Sequence, residues 1–233
     1  MLLKPNLRLA ALPSEALAEE GCPSAMNIEC PATMRRHVQK VLGGEYDIPY
    51  RHSAPVILDI GANVGSLAAW ALKRWPGAHV HCYEPLPGQF RAAQEKPRTI
   101  RGQIGELAQL CRRRSKPDAA LPWPRQLRGG SFYDIGEQTT NTVEVETKAP
   151  DVLPKAHIVK IDTEGSEVDI LARMASLDFD AIMLEYHSEA NRRKIDALLQ
   201  DYVLAGGHIR HPNRGTLKFA HKRLIEATRR SSP

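Results

Sequence analysis

The sequence predicts an open α/β fold: a mostly parallel sheet with helices on both faces and an antiparallel hairpin at its C-terminal end. Three observations carry that prediction. Short apolar runs alternate with amphipathic stretches along much of the chain, as they do in β-α units. Four of those runs end in a carboxylate: Asp59, Glu84, Asp162 and Glu185. The first run also breaks into a glycine-bearing turn, Asp59-Ile60-Gly61-Ala62-Asn63-Val64-Gly65, directly ahead of an amphipathic stretch. Strand, tight turn and helix N-terminus in that order make up the ligand-binding corner of open α/β sheets.

Taken in order, residues 1–24 read as irregular and 30–43 as a helix leading into Gly43-Gly44-Glu45-Tyr46-Asp47-Ile48-Pro49. Residues 56–60 form a buried strand and 66–75 its helix, which Pro76-Gly77 ends. A second strand covers 78–83, and Pro85 and Pro87 introduce a short helix through about Lys96. Thr99 to Ile104 reads as a third strand ending at Gly105, followed by Arg- and Pro-rich sequence up to Gly129-Gly130. The stretch 97–130 is therefore expected to be a loop insertion. Residues 142–147 alternate as a half-exposed strand, and 157–162 and 181–185 are buried strands ending in acid. Residues 166–174 and 189–204 read as helices, the second stopped by Gly206-Gly207. His208 to His211 and Thr216 to Lys222, joined by Pro212-Asn213-Arg214-Gly215, form a hairpin that reverses one edge of the sheet.

The length of 233 residues fits one such domain over 51–225, with a partly helical extension at 1–50 and a basic tail at 226–233. At 42% hydrophobic and 25% charged residues the composition is that of an ordinary globular protein. Cys22, Cys30, Cys82 and Cys111 show neither a Cys-x-x-Cys pair nor zinc spacing. They read as reduced thiols, which suits the cytoplasm. No run approaches the ~18 apolar residues of a membrane helix, and Pro5, Arg8, Pro13 and Glu15 break any signal-peptide pattern at the start. Much of the net charge of +5 sits in Arg112-Arg113-Arg114-Ser115-Lys116 and in 221–230. No aromatic residues interleave with these runs, so they read as solvated faces and argue against a nucleic-acid partner.

Ligands of open α/β sheets collect at the carboxyl ends of the strands. Gly61 and Gly65 let the backbone turn sharply where a Cβ would clash. The spacing is Asp-x-Gly-x-x-x-Gly, not the Gly-x-Gly-x-x-Gly of dinucleotide binders, and no P-loop lysine follows. With an acid closing Val80-His81-Cys82-Tyr83-Glu84, that variant points to S-adenosylmethionine and away from NAD. In this reading Glu84 accepts both ribose hydroxyls, and Gly61 and Asn63 face the amino-acid half of the cofactor. Asp59 either orients the turn or meets the ammonium through water. If Thr99 to Gly105 is the third strand, Gln103 and Ile104 lie beside adenine.

The elements Val56-Ile57-Leu58-Asp59-Ile60-Gly61-Ala62-Asn63-Val64-Gly65, Tyr83-Glu84-Pro85, Val159-Lys160-Ile161-Asp162-Thr163-Glu164-Gly165-Ser166-Glu167 and Leu184-Glu185-Tyr186-His187 occur in that order. Together they resemble the FkbM family of S-adenosylmethionine-dependent methyltransferases over roughly residues 41–90 and 130–220. Gly44-Glu45-Tyr46-Asp47 and Gly136-Glu137-Gln138 resemble stretches found in part of that family. The resemblance implies a class I methyltransferase (Rossmann-like) fold and O-methylation of a hydroxyl on a saccharide or secondary metabolite. The 91–130 segment departs from the family pattern, and damage there would weaken cofactor binding.

A hydroxyl acceptor benefits from a general base within hydrogen-bond reach. Asp162, Glu164 and His187 are the candidates near the methyl end, His187 with an unperturbed pKa of about 6.5; Asp162 is also counted among the cofactor contacts. Glu167 reads as a stabiliser of the helix that follows it. Tyr46 either closes over cofactor or substrate or packs as a core aromatic. Asp162, Glu164, Glu185 and His187 have a spacing that permits an oxygen-rich Mg²⁺ site without requiring one, and no metal ligand is assigned. An RNA methyltransferase is the first alternative, weakened by the lack of an appended RNA-binding module and of an Asn/Asp-Pro-Pro-Tyr-like motif. A degenerate family member serving as a binding protein is the second. A nicotinamide-dependent oxidoreductase is third, disfavoured by the glycine spacing. The sequence leaves the oligomeric state open.

Overall fold

The computed structural model describes residues 28, 30, 32–84, 120–123, 141–144 and 149–230. Helices α1 (Arg35–Leu42) and α2 (Ser66–Arg74) flank strand β1 (Val56–Ile60), and β2 (His79–Tyr83) follows. Strands β3 (Ala120–Trp123) and β4 (Asn141–Glu144) come next, then β5 (Ile158–Ile161), α3 (Glu167–Leu171), β6 (Ala181–Tyr186) and α4 (Glu189–Leu198). The chain continues through β7 (Tyr202–His211), β8 (Arg214–His221) and α5 (Lys222–Arg230).

Six strands form one sheet in the order β2-β1-β5-β6-β8-β7. The pairs β1·β2, β1·β5 and β5·β6 are parallel. Only β8 runs the other way, antiparallel to both β6 and β7. The sheet is thus mostly parallel and Rossmann-like, as the sequence predicts, but the reversed strand is not the edge. β8 lies one position inside, because its Leu217 and Phe219 are buried among the core residues of β5 and β6. The outer strand β7 is mostly exposed and carries Val203, Leu204 and Ile209.

Successive residues of a strand face opposite sides of the sheet, and both sides are covered. Ile57, Val80, Cys82, Ile158 and Met183 pack under α2 with Leu67, Ala68 and Ala71. Leu58, Ile60, Val159, Ile161 and Ile182 pack on the other face with Ile170 and Leu171 of α3 and Ile195 of α4. This double coverage explains why β1, β5 and β6 are apolar on both faces apart from one charged residue each, Asp59, Lys160 and Glu185.

Helix α4 is shorter than its pattern predicts. Ser188 caps it by accepting a hydrogen bond from the Asn191 N–H at 3.0 Å, and it ends at Leu198 where 189–204 is expected. Residues 202–204 instead begin β7, and Gly206-Gly207, read as a helix stop, lie inside that strand next to a bulge between Leu204 and Gly206. Tyr202 anchors the strand. Its hydroxyl accepts from the Phe179 N–H at 3.0 Å and reaches the carbonyls of Leu177 and Phe179. Tyr202→Phe is expected to cost about 1–2 kcal/mol in urea denaturation, because the buried Phe179 N–H loses its acceptor.

Other expectations shift as well. Residues 142–147 are read as one strand; the strand observed is β4, paired with β3 in a separate two-stranded antiparallel sheet. β3 falls in the stretch read as a loop insertion. Its Pro122 is tolerated because a two-stranded ribbon consists only of edges. Part of the expected basic tail belongs to α5, whose Arg223 pairs with Asp180 at 2.8 Å and with Asp178. Residues 1–24, the helix through Lys96, the third strand at Thr99 to Gly105 and Gln103 lie outside the described residues. Among the described residues no helix is long and apolar enough to cross a membrane, and neither Cys30 nor Cys82 is in a disulfide.

Candidate active site

The carboxyl ends of β1, β2, β5 and β6 meet in one region, and the turn after β1 is its floor. Gly61 has φ +78° and Gly65 +76°, and between them Asn63 has φ +50°. The first of these positions admits only glycine. A Cβ on Gly61 would stand 1.8 Å from the Asp162 carbonyl oxygen. Asparagine is among the few other residues that enter the left-handed region readily. The N–H groups of Gly61 and Ala62 both donate to the Tyr83 carbonyl, at 2.9 and 3.0 Å, which locks the turn to the end of β2. One residue further on, the Asn63 N–H donates to Glu84 Oε2 at 2.8 Å. Glu84 is 5% exposed, a buried carboxylate fixed against the turn.

Asp59 has no exposed surface, and its carboxylate pairs with Lys160, its register partner on β5, at 3.1 Å. Burial pushes the Asp59 pKa up and Lys160 offsets this in part. Of the two sequence-based roles for Asp59, orienting the turn fits this geometry. Burial would lower the Lys160 pKa, but Asp59 and Asp162 outweigh it and raise it, so the ammonium stays charged. Tyr46 covers the pair, with the ammonium 5.9 Å from its ring centroid and its hydroxyl donating to Asp162 Oδ2 at 3.4 Å. Burial first and then Asp162 hold the Tyr46 pKa well above its usual value, so the hydroxyl keeps its proton.

The loop after β5 is organised by Glu167, which is fully buried. Its Oε1 accepts from the N–H groups of Thr163 at 3.2 Å and Gly165 at 2.9 Å and from the Thr163 hydroxyl at 3.3 Å. Those bonds fold the loop so tightly that Glu164 adopts φ +51° and Gly165 +113°. His187, from the end of β6, lies between two acids: Nδ1 is 3.1 Å from Glu167 and Nε2 is 3.0 Å from Glu164. Burial alone would lower its pKa, but the two carboxylates outweigh that and raise it to about 10. At neutral pH His187 is therefore an imidazolium that holds a proton rather than accepting one. Glu164 responds oppositely: burial pushes it up, and His187 and Arg214 pull it below the usual carboxylate range.

Two arginines from the β7–β8 hairpin complete the region. Arg214 donates from Nε to Glu185 Oε1 at 2.9 Å and from Nη2 to Glu164 at 3.3 Å. Arg210 reaches Glu185 at 3.3 Å and Glu45 at 3.0 Å. Neither arginine, nor the partnership of Lys160 with Asp59, is assigned a role from sequence. The one available signal was a lysine inside the apolar run Ile158-Val159-Lys160-Ile161, which demands a buried counter-charge. Asp162, Glu185 and His187 bring one ligand atom each within 4.8 Å of one another, a spacing a cation could use. In this arrangement Arg210 and Arg214 hold Glu185 and two carboxylates hold His187, so a cation would have to displace them.

Comparison with known proteins bears on this arrangement. A hexuronic acid methyltransferase, AglP, from Haloferax volcanii is 25% identical over 154 residues, covering 64% of this chain and 63% of its own. Methyltransferase 1 from Beauveria bassiana is 23% identical, covering 59% of this chain and 65% of its own. The chain therefore spans just under two thirds of the length of these curated relatives. Among solved structures, a precorrin-6y C5,15-methyltransferase from Geobacter metallireducens covers 85% of this chain and 92% of its own, at 16% identity and a TM-score of 0.42. Residues 59–210, which run from the end of β1 through the hairpin arginine Arg210, match the methyltransferase FkbM domain, and the chain belongs to that family.

Proposed function

We propose that the protein is an S-adenosylmethionine-dependent O-methyltransferase acting on a hydroxyl of a saccharide or other small molecule. One observation carries the reading. Among the described residues, every buried side-chain polar atom without a hydrogen-bond partner belongs to a residue of this one region: Glu45 Oε2, both oxygens of Asp59, Asn63 Oδ1, Asp162 Oδ1, Glu167 Oε2 and His187 Nε2. Asp59 Oδ1 and His187 Nε2 have ion-pair partners that are poorly aligned for hydrogen bonding. The remainder are oxygens that accept. Buried acceptors left without donors are rare in folded proteins and mark places where a ligand completes the bonding. A ligand rich in donors, with an ammonium and several hydroxyls, fits such a set.

Within that reading Glu84 receives the ribose hydroxyls, its position fixed by the Asn63 N–H at 2.8 Å. Asn63 and the Gly61 turn receive the amino-acid half. When bound, S-adenosylmethionine supplies a methyl group already activated by its sulfonium, so positioning accounts for much of the rate. Asp162 takes the proton of the acceptor hydroxyl on Oδ1, the oxygen without a partner, while Tyr46 donates to Oδ2. His187, charged, acts as an electrostatic brace that keeps Glu164 and Glu167 in place. The name of the Haloferax relative, a hexuronic acid methyltransferase, supports a saccharide as the acceptor class.

Calorimetry with S-adenosylhomocysteine tests the cofactor, with NAD as comparator. Glu84→Ala is expected to weaken binding about 100-fold or more, since two hydrogen bonds to a charged group are lost. Methyl transfer to a panel of hydroxylated sugars then tests the acceptor. A folded protein that binds no S-adenosylhomocysteine would end the enzymatic reading and favour a non-catalytic family member.

A further inference from the structure

We propose that Lys160 is a positioning residue for the cofactor turn, holding Gly61 to Gly65 in its binding conformation before any cofactor arrives. The proposal rests on the cofactor reading above. Lys160 and Asp59 are register partners on adjacent parallel strands, β5 and β1. The Lys160 ammonium lies 3.1 Å from Asp59 Oδ1, 2.6 Å from the Gly61 carbonyl oxygen and 3.5 Å from that of Ile60. A lysine has three N–H donors, and all three acceptors within reach come from the end of β1 and its turn.

Charge neutralisation alone does not explain this placement. Lys160 is 5% exposed and Asp59 is fully buried, and a buried ion pair can often be replaced by well-packed apolar residues of similar volume without loss of stability. An apolar pair could not, however, hold the Gly61 carbonyl, which makes the shortest of the three contacts. That carbonyl belongs to the residue at φ +78°, wedged against the Asp162 backbone. With its carbonyl drawn towards β5 and its N–H donated to Tyr83, Gly61 has no freedom left to swing. The Tyr46 ring covers the ammonium, 5.9 Å from its centroid. A turn ordered in advance avoids the entropic cost of ordering on binding, so its benefit appears as cofactor affinity.

The test is the double variant Asp59→Leu/Lys160→Met, which removes both charges together and leaves no lone buried ion. It is expected to melt within about 5 °C of the wild type while binding S-adenosylhomocysteine at least about tenfold more weakly. Unchanged affinity in that variant would overturn the proposal and leave Lys160 a purely structural role. Absence of binding to the wild type would overturn the cofactor reading and the proposal together. Amide exchange of the unliganded wild type provides a measurement independent of any variant. The amides of residues 61–63 and 65 are expected to exchange as slowly as those of β1, and exchange at the rate of an open loop would overturn the proposal.

Discussion

Replacing Gly61 by alanine is expected to lower the stability of the protein by about 4 kcal/mol, at the severe end of single substitutions. Two costs combine. The backbone at φ +78° strains any residue with a side chain, by about 1–3 kcal/mol. The new methyl would also stand 1.8 Å from the Asp162 carbonyl oxygen, less than any contact allows. That oxygen is backbone and cannot rotate away, so β1 and β5 must separate at their carboxyl ends or the turn must refold. Either change moves Asn63 off Glu84, and the variant should bind no measurable S-adenosylhomocysteine. Urea denaturation and calorimetry read the two effects. A stable variant with intact binding would show that the turn is not wedged against β5.

The second large effect is a loss of stability towards alkaline pH, set by His187. Its folded pKa, about 10, lies above its ordinary value of 6.5 because the two carboxylates outweigh burial. A group whose pKa is raised by folding stabilises the folded state in full below the unfolded pKa. The contribution is then lost as pH rises through the folded pKa. The window is therefore pH 6.5 to about 10. Between pH 7 and 9.5 the linkage amounts to about 3 kcal/mol, an order-of-magnitude figure for a side chain that is only 11% exposed. Urea midpoints across that range should fall steeply for the wild type. They should fall much less for His187→Gln, which starts lower because Glu164 and Glu167 lose their shared cation. Parallel pH profiles for the two proteins would mean that His187 is neutral when folded.

Much of this was legible in the sequence where local chemistry decides the structure. β1, β2, β5 and β6 read correctly because strands covered on both faces are mostly apolar, and because Gly61 and Pro76-Gly77 punctuate the first unit. The tight turn at Gly61 and Asn63, and its approach to Glu84 at the end of β2, followed from the same punctuation. Where the outcome depends on partners far along the chain, the sequence was silent or misleading. Tyr202, Val203 and Leu204 continue the apolar rhythm of α4, and only their pairing with Phe219, Ala220 and His221 makes them strand. His187 has an unperturbed histidine pKa as an isolated residue and becomes an imidazolium through Glu164 and Glu167, which lie between the end of β5 and the start of α3. Arg214 sits in what reads as a plain hairpin turn, and its purpose appears only when Glu185 and Glu164 are placed beside it.

The position of β8 has a consequence for how the protein comes into being. The last strand of the sheet is not added to its rim but slotted between two strands that precede it in the chain, β6 and β7. Until residues 214–221 arrive, both of those strands present unpaired backbone along the sides that will face each other. A nascent chain that has reached β7 therefore carries two open edges, the condition under which strands recruit partners from other molecules. Closure therefore waits for β8, which pairs with both strands. It seals the sheet and, in the same step, brings Arg214 onto Glu185 and Glu164, so the order of synthesis makes completion of the fold and completion of the site one and the same transition.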